Sequence, residues 1–110
     1  MPLMKLREMT RIIDDPGAPF PRRVSKLMTY EAAFQKASGK RCTLIAAQAK
    51  LFAATHCTQI CLDCLQVLGG NGYRMDFDVE RLVRDAKLLE IGEGTNEILR
   101  MVIGGTVLAQ

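Results

Sequence analysis

Apolar residues recur along this chain at spacings of three and four, and no stretch alternates with the period of two that a half-buried strand requires. Leu3, Leu6, Met9 and Ile13 outline a short amphipathic helix within the first fourteen residues. Asp15-Pro16-Gly17-Ala18-Pro19-Phe20-Pro21 then carries three prolines in six positions and reads as an extended linker, because each proline lacks a donor and restricts its predecessor. Helical periodicity resumes from Arg22 to Ser38 through Val24, Leu27, Met28, Ala32 and Phe34, with Gly39 as a left-handed C-cap. A long helix is expected from Thr43, as its cap, to about Leu68. It holds only Lys50 and Asp63 as charged residues, and its Ala, Cys and Thr content suits a helix packed between others. Gly69-Gly70-Asn71-Gly72 ends it, Asp78 restarts a helix over Val79 to Leu89, and Gly92-Glu93-Gly94 precedes a last helix capped by Thr95. Glu80 with Arg84, and Arg81 with Asp85, stand at (i, i+4) on an exposed face. The pattern predicts an all-α, up-and-down helical bundle.

Composition narrows the class. A length of 110 residues suits one domain and is too short for separate nucleotide and substrate lobes. The net charge of +3 is too mild for the footprint of a nucleic-acid binder. Residues 1 to 41 hold nine Lys or Arg against four Asp or Glu, and residues 42 to 110 hold six against eight, so the chain is basic first and faintly acidic afterwards. No uninterrupted run of about 18 apolar residues predicts a membrane span, and the first fifteen residues lack the apolar core of a secretory signal. Three of the four cysteines lie within eight residues of one helical pattern, which disfavours intramolecular bridging and points to a reducing compartment.

Three groups of residues could carry chemistry. His56, Cys57, Cys61 and Cys64 invite a metal reading, yet a single helix face is a poor source of a tetrahedral ligand set; Cys57, Cys61 and Cys64 read as small core residues, and His56, on another face, as an exposed or locally bonded histidine. The GGNG turn could approach a phosphate or ribityl group through backbone N–H groups, but it lacks the preceding strand of a dinucleotide fingerprint and reads more simply as a helix C-cap. Glu93, between two glycines and just before a helix N-terminus, has open access to a ligand. It reads equally as a solvated turn residue or as a general base.

Together, Gln66 to Tyr73 (QVLGGNGY), Glu80 to Lys87 (ERLVRDAK), and Ile91 to Ile98 (IGEGTNEI) with Arg100 resemble the C-terminal signature of the acyl-CoA dehydrogenases. The resemblance is strong from Gln66 to Ile103 and extends loosely to Val24 through Ala49-Lys50-Leu51-Phe52; residues 1 to 21 do not share it, and 22 to 110 form the expected domain. It implies FAD-dependent α,β-dehydrogenation of an acyl-CoA thioester, with electrons passed to an electron-transferring flavoprotein. Glu93 would be the catalytic base and Gly94 a substrate contact. Thr95, Asn96 and Glu97 would lie against the FAD of the same subunit, and Gln66, Val67, Leu68, Gly69 and Gly70 against that of a neighbour. A homodimer or homotetramer follows, with no nucleic-acid or membrane partner, and a mitochondrial matrix location in a eukaryote or a cytoplasmic one in a bacterium. Arg84 and Asp85 would be structural.

Two departures from the family pattern shape the expectation. Many straight-chain members carry Tyr where this sequence has Gly92, whereas isovaleryl-like members carry Gly there and place the base on an earlier helix. The combination of Gly92 with Glu93 suits a short or branched acyl chain. Gly105 stands where several members carry Arg. The domains that enclose most of the flavin and acyl chain are not among these residues, so the chain is expected to be part of a longer enzyme and inactive alone. The alternative is a non-catalytic helical oligomerisation module; a small Cys/His metal module ranks third.

Overall fold

The computed structural model describes residues 20–110; the amphipathic stretch expected over residues 1–14 and most of the proline linker lie outside the described residues. Within them the chain forms five α-helices and one 3-10 turn, with no strand, as the spacing predicts. They are α1 Phe20–Ala37, α2 Thr43–Leu68, α3 Gly70–Tyr73, the 3-10 turn Met75–Phe77, α4 Val79–Leu89 and α5 Asn96–Leu108. Short connections join the long helices into an up-and-down bundle in which α1, α4 and α5 are each neighbours of α2.

Helix α1 begins two residues before Arg22 and takes Pro21 into its first turn, where the missing N–H costs nothing. It closes at Gly39, whose φ of +71° lets Gly39 N donate to Lys36 O and Lys40 N to Gln35 O, satisfying carbonyls the last turn leaves open. Cys42, not Thr43, occupies the cap position of α2. No side chain caps that end, because Thr43 is already the first helical residue.

Helix α2 is the wall against which α1, α4 and α5 all pack. Its buried residues are Ala47, Ala49, Ala54 and Thr58, joined by Ala86 of α4, Asn96 of α5 and Gly72 of α3. Every one is small or short, so the helix axes approach closely, and the larger apolar side chains are displaced to the flanks and outer faces. Leu27, Tyr30 and Phe34 of α1, Leu88 of α4 and Met101 of α5 are each more than half exposed. By length and composition alone α2 would also satisfy a membrane span, which a count of uninterrupted apolar residues misses.

The GGNG segment is more than a cap. Gly69 ends α2 at φ 59°, and the chain re-enters a single helical turn, α3, that folds back on α2. Gly72 is buried there, and a Cβ on it would stand 2.5 Å from the Leu65 carbonyl oxygen. Asp78 starts α4 in the left-handed region, at φ 57°. Arg84 binds Glu80 through two hydrogen bonds of 2.9 and 3.2 Å, as the spacing predicts. Arg81 turns back to Asp78 at 3.9 Å rather than forward to Asp85, so that expected pair does not form. These exposed pairs orient side chains more than they stabilise the fold.

Gly72→Ala should cost about 1–3 kcal/mol by overpacking. Gly70→Ala, whose methyl enters open space, should change stability by less than about 1 kcal/mol. Urea denaturation of the two variants checks the contrast.

Candidate active site on the Glu93 turn

Helix α4 ends with its polypeptide wound tightly enough for Gly92 N to donate to Leu88 O at 2.7 Å. A Cβ on Gly92 would lie 3.3 Å from that same oxygen, a contact that a small shift of the turn would have to relieve. Glu93 itself adopts φ 55°, followed by Gly94 at φ 98°. A left-handed conformation costs a residue with a Cβ about 1 kcal/mol or more, so the surroundings must hold it. Asn96 N donates to Glu90 O at 3.0 Å and closes the loop at its base. From α2, the Lys50 ammonium donates to Gly92 O at 2.6 Å and to Gly94 O at 2.5 Å, gripping the carbonyls of the two glycines on either side of Glu93.

The helix that follows is capped as expected, with Ile98 N donating to Thr95 Oγ1 at 3.3 Å. Asn96 is buried, and its Nδ2 donates to Thr55 Oγ1 at 3.2 Å. Its Oδ1 is buried without a partner among the described residues. Glu93 is exposed, Gly94 is half-buried and Glu97 is exposed with Arg100 at 3.8 Å. Upstream, Lys87 donates to the Glu90 carboxylate at 2.6 Å, and this contact, followed by the Thr58 hydroxyl, holds Glu90 below the usual carboxylate range.

Glu93, Gly94, Thr95, Asn96 and Glu97 therefore form one continuous turn and helix start beside the Lys50–Thr55 part of α2. Gln66, Val67, Leu68, Gly69 and Gly70 lie at the far end of the same helix. Eleven residues separate Thr55 from Gln66, which is about 16 Å of helix axis. The two groups of predicted contacts thus lie apart along α2 rather than side by side. Lys50 and Thr55 were not singled out by the motif reading. Lys50 had a signal in the sequence, as the one cation of a helix whose only other charge is Asp63, since such a residue needs acceptors nearby if buried; Thr55 had none.

The cysteine and histidine group serves packing along α2. His56 Nδ1 donates to Phe52 O at 2.8 Å, and its ring stacks on Phe52 with centroids 4.0 Å apart. All four cysteines are half-buried rather than core residues. Burial, then the neighbouring Cys57, pushes the Cys61 thiol up from 9.0 to about 11, and burial raises Cys64 as well. An open groove of about 470 Å³ lies alongside, bordered by Met28, Leu51, Phe52, His56 and Ile103.

The family defined as acyl-CoA dehydrogenase, C-terminal domain, matches residues 21–108, and the chain belongs to that family. It is 40% identical over 109 residues, 99% of its length, to cyclohexane-1-carbonyl-CoA dehydrogenase of Geobacter metallireducens, and covers 28% of that protein. It is 48% identical over 80 residues, 73% of its length, to mitochondrial isovaleryl-CoA dehydrogenase of Oryza sativa subsp. japonica, and covers 20% of that protein. Butyryl-CoA dehydrogenase of Megasphaera elsdenii superposes on 98% of the chain with a TM-score of 0.80 and 35% identity, and the chain covers 28% of it. The chain thus spans about a quarter of the length of the relatives it matches.

The raised Cys61 thiol has a measurable consequence. Its thiolate fraction at neutral pH is ~100-fold below that of an ordinary cysteine, so alkylation by iodoacetamide, followed by peptide mapping, should label Cys61 slowly. The folded state holds this proton more tightly than the unfolded one. The stabilisation is therefore complete below pH 9.0 and lost as pH rises towards about 11. Urea midpoints measured across that window should fall less steeply in Cys61→Ala.

Proposed function

We propose that this chain supplies the base-bearing part of an acyl-CoA dehydrogenase, with Glu93 removing the α-proton of an acyl-CoA thioester. The observation that carries this reading is the exposed, left-handed Glu93, held between two gripped carbonyls at the start of a capped helix. A general base needs an unobstructed carboxylate on a fixed backbone, and both conditions hold here. The Glu93 N–H is not engaged in the turn's backbone hydrogen bonds, which leaves it free to support a developing thioester oxyanion.

FAD, when bound, accepts the hydride that leaves the β-carbon and passes electrons on to an electron-transferring flavoprotein. The residues fit such a group. Asn96 Oδ1 is a buried acceptor in need of a donor, and the hydroxyls of a ribityl chain are donors. Thr95, Asn96 and Glu97 would hold the flavin of the same subunit. The separation of Gln66 to Gly70 from the Glu93 turn supports a second contact, to the flavin of a neighbouring subunit in a homodimer or homotetramer. The exposed Leu27, Tyr30, Phe34, Leu88 and Met101 support extensive burial against other domains or subunits. A short or branched acyl chain suits Gly92, which adds no side chain beside the base. Among the similar proteins, the cyclohexane-1-carbonyl-CoA, isovaleryl-CoA and butyryl-CoA dehydrogenases are named for substrates of that kind. The matrix of mitochondria or the bacterial cytoplasm remains the proposed location.

A second reading, a helical assembly module without catalysis, draws on the same exposed apolar faces. The two separate in a chimera that joins this chain to the remaining domains of the Megasphaera butyryl-CoA dehydrogenase. Flavin absorbance and turnover of butyryl- or isovaleryl-CoA with an artificial acceptor support catalysis, and a folded, flavin-free oligomer supports assembly. In the active chimera Glu93→Gln should lower kcat by ~100-fold or more while FAD stays bound. Undiminished turnover would place the base elsewhere. The 110-residue chain alone should show no turnover.

A further inference from the structure

We propose that Lys50 is a positioning residue for the Glu93 site, and that it acts by holding the carbonyls of the two glycines that flank the base. The proposal rests on the reading of Glu93 as the base and goes beyond it, since no motif assigns Lys50 a role.

The ammonium of Lys50 is half-buried in α2 and reaches across 42 and 44 residues of sequence to donate to Gly92 O and Gly94 O. Each of those carbonyls belongs to a planar peptide, and no cis bond occurs among the described residues, so the N–H on the same peptide points the opposite way. The N–H paired with Gly92 O is that of Glu93, and the one paired with Gly94 O is that of Thr95. With both oxygens drawn towards α2, the Glu93 and Thr95 N–H groups face away from it, and neither is spent in the backbone hydrogen bonds of the turn. Lys50 therefore aims two donors outward on the side where Glu93 is exposed.

Two further effects follow from the same contacts. A cation bonded to a peptide oxygen polarises that peptide and strengthens its N–H as a donor. A left-handed glutamate would otherwise relax towards an ordinary backbone conformation, and fixing the peptide before Glu93 and the one beyond Gly94 restricts that freedom. The turn's other fastenings, Gly92 N to Leu88 O and Asn96 N to Glu90 O, secure its two ends and leave Glu93 itself to Lys50.

The test uses NMR of this chain and kinetics of the chimera. In the unaltered chain, scalar coupling from Lys50 Nζ to the carbonyl carbons of Gly92 and Gly94 is expected; its absence overturns the proposal. In Lys50→Met, with the helical spectrum retained, the Gly92 and Gly94 carbonyl resonances should shift and the Glu93 coupling constants should leave left-handed values. Lys50→Arg should restore part of both. In the chimera, Lys50→Met should lower kcat ~100-fold with KM changed by only a few-fold. Left-handed Glu93 and full kcat in Lys50→Met would refute the positioning role. If Lys50→Met does not fold, the couplings in the unaltered chain decide. Glu93→Gln separates the two ideas: retained turnover there defeats the base assignment while leaving the Lys50 couplings standing.

Discussion

The close approach of helices along α2 is the constraint on which this domain depends. Lys50, Ala54 and Thr58 recur at intervals of four residues and so form one stripe of the helix. Ala54 and Thr58 are buried in the contact with neighbouring helices, and Lys50 at one end of the stripe holds the Glu93 turn. Thr58 at the other end lies beside the Glu90 carboxylate, and Thr55, one position off the stripe, accepts from Asn96. A larger residue at Ala54 would push α4 and α5 outward and lengthen every one of these contacts. Packing and site geometry are therefore set by the same few side chains.

The Glu93 turn stores strain that this arrangement sustains. A left-handed glutamate is unfavourable on its own, and a loop of glycines around it would simply be mobile. Lys50 supplies what the local sequence does not, a fixed cation from another element that two carbonyls can share. Its contacts are hydrogen bonds from a charged donor in a half-buried setting, which are stronger than neutral ones. The result is a carboxylate that is exposed to a ligand while its backbone is restrained.

The outer faces follow from the same economy of size. Because the helix contacts are filled by alanine, threonine and glycine, the leucines and aromatics of α1, α4 and α5 have no place between the axes. They are left at the surface in quantity. A domain with this distribution is well suited to being covered by other domains or subunits, and it agrees with a chain that matches only about a quarter of each relative.

Helix positions were legible in the sequence because they follow from short-range rules. The period of the apolar residues, Gly39 and Gly69 as terminators and Thr95 as a cap placed α2, α4 and α5 at their observed bounds or close to them. Local exchange among neighbours was less legible. Thr43 yielded the cap position to Cys42, and Arg81 chose Asp78 over Asp85, because such choices differ by little energy. The motif residues at 92 to 97 marked the turn as a candidate site, but nothing in the sequence marked the conformation of Glu93. Only the tertiary structure could put the strain on Glu93, since the restraint comes from Lys50, more than forty residues earlier and on another helix. Sequence by itself determined which segments are helical and which turn carries the carboxylate; the packing of α2 decided how that carboxylate is held.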